Sequence, residues 1–195
     1  MNNSEQISKS FSALDIPQGE LTEVEFDSCT FTGTDFSDVT FKNCRFIDCQ
    51  FEQCNLSNCI IAYCRFSNVE FNECKLVGID WTRVSWPNIV VAAPIAFNKC
   101  IINNSSFFGL SLSEMQIKEC KAHDVDFREA DLSCANLAYT DLAYSIFSNT
   151  NLKEANFADA INYNIDVAHN NISGAKFCRD EAVNLLTSLG IELVD

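Results

Sequence analysis

Four cysteines, Cys44, Cys49, Cys54 and Cys59, stand five residues apart, and thiols at fixed spacing raise two chemistries, a metal centre and disulfide bonding. Zinc sites gather their thiolates through short turns. Here a large apolar residue, Phe46, Phe51 or Leu56, separates each cysteine from the next, so neither a metal nor another cofactor is expected. Nine of the eleven cysteines keep a register that Val, Ala, Ser and Thr hold elsewhere, which is how a buried thiol acting as a small hydrophobe behaves. Only Cys134 and Cys178 fall outside it, and free thiols are the expectation. His123, beside Asp124 and Asp126, has the neighbours of a general base, but no serine or cysteine nucleophile is forced close to it. Both it and His169 read as surface residues. No glycine-rich phosphate loop, H-E-x-x-H motif or paired-carboxylate cleft occurs, and six glycines leave little backbone for one. The sequence therefore points to no catalytic residue and no enzymatic activity.

What positions these residues is a period of five. Large apolar anchors run from Phe26 through Phe31, Phe36, Phe41, Phe46 and Phe51 to Trp81 and Trp86, and again from Phe97 through Phe107, Phe127, Leu132, Leu137 and Phe157 to Val167, Ile172 and Phe177. Two residues before each anchor stands a smaller one, Cys in much of the first run and mainly Ala, Ser or Thr in the second. A step of five fits neither the 3.6 of a helix nor the 2 of a strand, so a short turn must recur every five residues, and the chain is a solenoid. Asn162 and Ala122 depart from the anchor pattern. The eleven residues from Trp86 to Phe97, in place of ten, predict one extra residue and a small outward loop, with Pro87 and Pro94 inside it. Residues 1–20 read as an N-terminal segment and cap, the first ten polar and loose, with Phe11, Ile16 and Leu21 closing a first coil. Residues 21–179 are the repeat, in runs 21–86 and 97–179 around an interruption at 87–96. Residues 180–195 read as a helix with Asp180 as N-cap and Gly190 as its end, followed by a short strand.

Charge narrows the function. Net charge is −14, and the excess is even, with 13 acids and 6 bases up to residue 96 and 14 and 7 beyond it. Direct nucleic-acid binding needs a basic footprint and is disfavoured, so a basic partner is the better expectation. No basic segment followed by an apolar stretch opens the sequence, and no run reaches a membrane-spanning length; with many free thiols this predicts a cytoplasmic protein without membrane contact.

The stretches Ala130-Asp131-Leu132-Ser133-Cys134, Ala135-Asn136-Leu137-Ala138-Tyr139 and Ala155-Asn156-Phe157-Ala158-Asp159 resemble the A(D/N)LXX consensus of the pentapeptide-repeat family, over roughly residues 21–177. The resemblance implies an all-β fold, a right-handed quadrilateral β-helix with four units per coil, about eight coils and about 38 Å of rod at the usual strand spacing, capped by a C-terminal helix and strand. Residues twenty apart then stack, among them Cys29 on Cys49, Cys44 on Cys64, Cys54 on Cys74 and Cys100 on Cys120.

Further segments, Gly78-Ile79-Asp80-Trp81, Trp86-Pro87, Phe107-Phe108-Gly109-Leu110, Asn162-Tyr163-Asn164-Ile165-Asp166 and Leu185 to Leu193, are similar to the members that protect DNA gyrase: albicidin-resistance proteins most, Qnr quinolone-resistance and microcin B17 immunity proteins less. That likeness implies a DNA mimic that engages gyrase or topoisomerase IV, and a homodimer joined through Leu185, Leu186, Leu189, Ile191, Leu193 and Val194. The acidic face would comprise Asp124, Asp126, Glu129, Asp131, Asp141, Asp159 and Asp166, with Glu52, Glu70 and Glu73 on one side of the first run. The loop Pro87, Asn88, Ile89, Val90, Val91 to Pro94 is a second candidate contact, shorter than Qnr loops. The alternative is a structural or signalling scaffold for an unrelated partner.

Overall fold

The computed structural model describes residues 5–12, 19–87 and 93–191. Local geometry follows from the pentad. Two residues after an anchor the backbone adopts positive φ, as at Asn43 (55°), Asp124 (54°) and Glu154 (59°), and the anchor carbonyl often accepts from the N–H three residues on, as in Val39 to Phe36 (3.0 Å) and Ala130 to Phe127 (3.2 Å). That is the arrangement of a type II turn, and four such turns close a square coil. Parallel pairing locks the coils together at a step of twenty, Phe31 with Phe51 and Phe46 with Phe66.

The rod has four sides. The first is a six-stranded ladder from Ser10–Ser12 to Gln116–Lys118, continued by the pair Asn156–Phe157 and Lys176–Phe177. Single bridges build the second, Asp35, Asn55, Lys75, Ile101, Lys121, Asp141 and Ile161 in succession. The third pairs Glu20–Thr22 with Thr40–Lys42 and continues in register through Asp80, Ser106, Asp126 and Ile146. The fourth stacks Glu5–Ile7, Glu25–Asp27, Arg45–Ile47 and Arg65–Ser67, then resumes with Ser111, Asp131, Asn151 and Asn171. The result is a parallel β-solenoid of about eight turns.

Anchors fill the axis. On the first side the rings of Phe11, Phe31, Phe51, Phe71 and Phe97 stack with centroids 4.5–5.3 Å apart, while rings from neighbouring sides meet at steep angles, Phe41 against Phe46 at 79°. Burial of each such ring contributes on the order of 2–3 kcal/mol. The smaller inward residue does a second job: Cys49 Sγ donates to the Phe26 carbonyl (3.4 Å), Thr140 Oγ1 to Ile117 (2.7 Å) and Ser145 Oγ to Ala122 (2.6 Å). Each closes a carbonyl that the turn directs inward, which is why Cys, Ser and Thr interchange there. The nine inward thiols are buried and free; burial pushes Cys49 up to about 11 and Cys59 to about 12.

Four local expectations change. Phe71 pairs with Phe97 and Val69 with Ile95, 26 residues on, so the insertion after Trp86 holds six residues and not one; a step of eleven is either ten plus one or five plus six, and only the register tells them apart. It interrupts the fourth side, where Trp86 is half-buried and donates its Nε1 hydrogen to the Trp81 carbonyl (2.9 Å). Pro87 is exposed and Pro94 half-buried, while Asn88, Ile89, Val90 and Val91 lie outside the described residues. Second, the coil tightens near its end: Phe147 bridges Ile165, eighteen residues on, with Tyr163 and Ile165 buried, Asn162 exposed and Val167 only half-buried. Third, pairing begins at Glu5, opposite Glu25, inside the segment expected to be loose, because Gln6 and Phe11 already cover the first coil. Fourth, Cys178 and not Asp180 precedes the first helical turn, since strand Lys176–Phe177 runs straight into α1 (Arg179–Ala182), which is followed by α2 (Asn184–Thr187). Gly190, at φ 67°, ends the helical segment. Ile16 and the last four residues, Leu193 and Val194 among them, lie outside the described residues.

Candidate partner-binding surface

The register distributes the expected carboxylates around the rod. Asp124 and Asp141 belong to the second side, Asp126, Glu129 and Asp166 to the third or its corner, Asp131 to the fourth, and Asp159 to the first. Positions five apart fall on neighbouring sides of a square coil, so the dense stretch 122–169 wraps the column and makes no single face. Glu52, Glu70 and Glu73 do share the first side, where Glu52 accepts from Asn72 (2.8 Å) and Glu73 from Gln53 (2.9 Å). Side-chain ladders of this kind, with Asp131 accepting from Asn151 (2.8 Å), hold the acids at inter-coil spacing.

Several carboxylates are already engaged. Arg128 grips Asp126 through Nε (2.9 Å) and Nη2 (2.8 Å), holding its carboxyl below the usual range, and the guanidinium lies 5.6 Å from the Phe108 ring centroid. Burial pushes Asp141 up, but hydrogen bonds from Asn162 (2.8 Å) and His123 Nε2 (2.7 Å) outweigh it, and the carboxyl ends below its ordinary value. Asp166 is likewise lowered, chiefly by His169, whose Nδ1 lies 2.5 Å away. Asp159 accepts from Cys178 Sγ (3.3 Å). Asp124 and Glu129 are exposed with no side-chain hydrogen bond.

His123 is thus not a plain surface histidine. It lines, with Asp141, Tyr144, Asn162 and Asp166, an open depression of about 920 Å³ between the second and third sides, bordered by α2. The sequence predicts no pocket; the signal for one is the failed anchor at Asn162. At the C-terminus the expected patch divides, because Leu185 packs on the core whereas Val183, Leu186, Leu189 and Ile191 are exposed. Among the described residues no cluster of His, Cys, Asp or Glu could hold a metal ion, and no helix is long and apolar enough to cross a membrane.

A family model for the pentapeptide repeat region matches residues 19–92 and 79–157. The chain belongs to the pentapeptide-repeat family. No curated protein matches it. Among solved pentapeptide-repeat structures, a trypsin-treated form of QnrB1, described as a plasmid-mediated fluoroquinolone resistance protein, is similar with a TM-score of 0.63 at 17% identity, covering 98% of this chain and 99% of that one. A second trypsin-treated form of QnrB1 gives 0.58, again at 17% identity, over 99% of both chains. HetL of the cyanobacterium Nostoc sp. strain PCC 7120, a pentapeptide repeat protein involved in heterocyst differentiation regulation, gives 0.50 at 15% identity, over 91% of this chain and 89% of its own. At such identities the likeness is one of fold.

Proposed function

We propose that this pentapeptide-repeat protein is a duplex-like acidic rod that binds the DNA-holding surface of DNA gyrase or topoisomerase IV in the cytoplasm and protects the enzyme from poisons trapped on it, without enzymatic activity of its own. The observation that carries the reading is a narrow, filled, untapered column whose acids wrap all four sides. Net charge −14 over about 38 Å, doubled through the C-terminal patch, gives −28 along about 75 Å, or roughly one charge per 2.7 Å against about one per 1.7 Å for duplex DNA. A basic saddle shaped for DNA would find both the width and the field it expects.

The test is a supercoiling assay with purified gyrase and topoisomerase IV, poisoned in turn by albicidin, microcin B17 and a quinolone, with and without the protein. Restored supercoiling against at least one poison is expected, together with a complex that weakens steeply as salt rises. No effect on any poison, or an affinity indifferent to salt, refutes the reading. The second reading, a regulatory scaffold for an unrelated protein, draws on the same fold serving HetL; capture of a partner other than a topoisomerase, with supercoiling untouched, would favour it.

A further inference from the structure

We propose that the depression beside the tightened coil is a receptor for an arginine side chain of a partner protein. The site goes beyond the duplex likeness and holds whichever protein supplies the arginine.

A solenoid is cheapest when regular, and departures from regularity mark places where something other than folding sets the residue. Asn162 stands where an apolar anchor belongs, and the chain reaches the third side two residues early, so that Tyr163 and Ile165 fill the core in its stead, before Asn171 regains the step of twenty from Asn151. What this leaves outside is a depression of about 920 Å³, within the size of ligand sites, lined by both polar and apolar groups and without a lysine or arginine.

The hydrogen bonding of the lining fixes what it can receive. His123 Nε2 meets a carboxylate oxygen of Asp141, so that nitrogen carries the hydrogen and its donor is spent on the protein's own acid. Asn162 donates to Asp141, Asn184 to Glu181 (3.1 Å), Thr187 to the Asn184 carbonyl (2.6 Å) and Ser145 to the Ala122 carbonyl. Most of the named donors are thus turned inward onto the protein's own acceptors, the Tyr163 hydroxyl, which has no partner, can accept as well as donate, and the carboxylates of Asp141 and Asp166 give the opening its negative charge. Asp166 keeps free lone pairs beyond its bonds to His169 and the Ala168 N–H. A ligand of matching chemistry carries donors and positive charge and no acceptor, which describes guanidinium, with five N–H groups and none to accept.

Shape separates guanidinium from ammonium. Tyr144, 80% exposed on the rim, and Ile146, 49% exposed, offer flat apolar surface to a planar cation, which stacks where a compact, strongly hydrated ammonium does not. The depression is also far larger than one guanidinium and open to solvent, which leaves room for the backbone that carries it.

The test uses the full-length, isotope-labelled protein at neutral pH and low salt, titrated with three probes: acetyl-glycyl-arginyl-glycinamide, its lysine counterpart and methylguanidinium. Expected are NMR shifts centred on the Asn162 side-chain amide and Tyr144, with the arginine peptide bound about tenfold more tightly than the lysine peptide, the size of one charge-assisted hydrogen bond. Asp141→Asn should weaken arginine binding by a similar factor. Tyr144→Ala, at a rim position that does not threaten the fold, should weaken it severalfold while leaving the lysine peptide unchanged. Equal binding of the two peptides, shifts scattered along the rod, methylguanidinium binding as tightly as the arginine peptide, or full affinity in Tyr144→Ala would each overturn the assignment.

Discussion

Cysteine is here a packing residue with a hydrogen to give. Its thiol is small enough for the corner of a coil and still reaches the carbonyl of the anchor one coil below, as Cys54 does to Phe31 at 3.4 Å. Reactivity should therefore follow exposure. Titration of the native protein with a thiol reagent should modify Cys134 first, at a rate held down because desolvation and the Glu154 carboxylate push its thiol up, and Cys178 next; the other nine should react only on unfolding. Rapid native labelling of more than two thiols would contradict the packing. Tyr163 presents the opposite case, a ring worth burying whose Oη finds no hydrogen-bond partner. Burial, reinforced by Glu181, raises its pKa to about 12, so its contribution to stability is complete below the unfolded value of about 10 and is lost as pH rises toward about 12. Tyr163→Phe should gain about 1 kcal/mol in denaturant melts at neutral pH and lose less above pH 10; a destabilised variant would mean that the hydroxyl has a partner.

Strands among the described residues are two to four residues long, and their stability comes from stacking on the next coil rather than from length. That makes insertions tolerable wherever they leave the axis filled. Excising residues 88–93 turns the step from Trp86 to Phe97 into five and the step from Phe71 to Phe97 into twenty, which should preserve the fold, with a melting temperature within a few degrees by circular dichroism. A chain that no longer folds would show that the extra residues seal the break in the fourth side. Protection assays on the folded variant then separate a contact role of this segment from that of the rod. The early turn near Asn162 obeys the same logic: the chain meets the third side two residues ahead at Ile165 and regains them by Asn171, with Tyr163 filling the core in tilted contact with Phe157 and Phe177.

The column as a whole has two ends with different characters. At the C-terminus Val183, Leu186, Leu189 and Ile191, all within nine residues, form an exposed apolar group, which is where the proposed dimer would join end to end. Leu186→Asp with Leu189→Asp should give monomers by analytical ultracentrifugation, with the solenoid's own melting unchanged because neither residue belongs to its core. Dimers that persist would place the joint elsewhere, and with it the doubled length on which the match to a duplex depends.

The pentad, its small inward partner and the surplus of acids could all be read from residue types at fixed intervals, because each coil repeats one local rule and buries the same two positions. Phe26, Phe31 and Phe36 announce the solenoid without any knowledge of what they touch. Counting by fives cannot tell ten plus one from five plus six, however, and a shift of two residues that is regained within one coil returns to phase, so the six-residue insertion after Trp86, the early arrival at Ile165 and the side of the square on which Asp124, Asp131 or Asp159 emerges are set by the register between coils. The same holds for His123, Asp141 and Asn162, which lie 18 and 21 residues apart and meet because one turn of this chain is about twenty residues long.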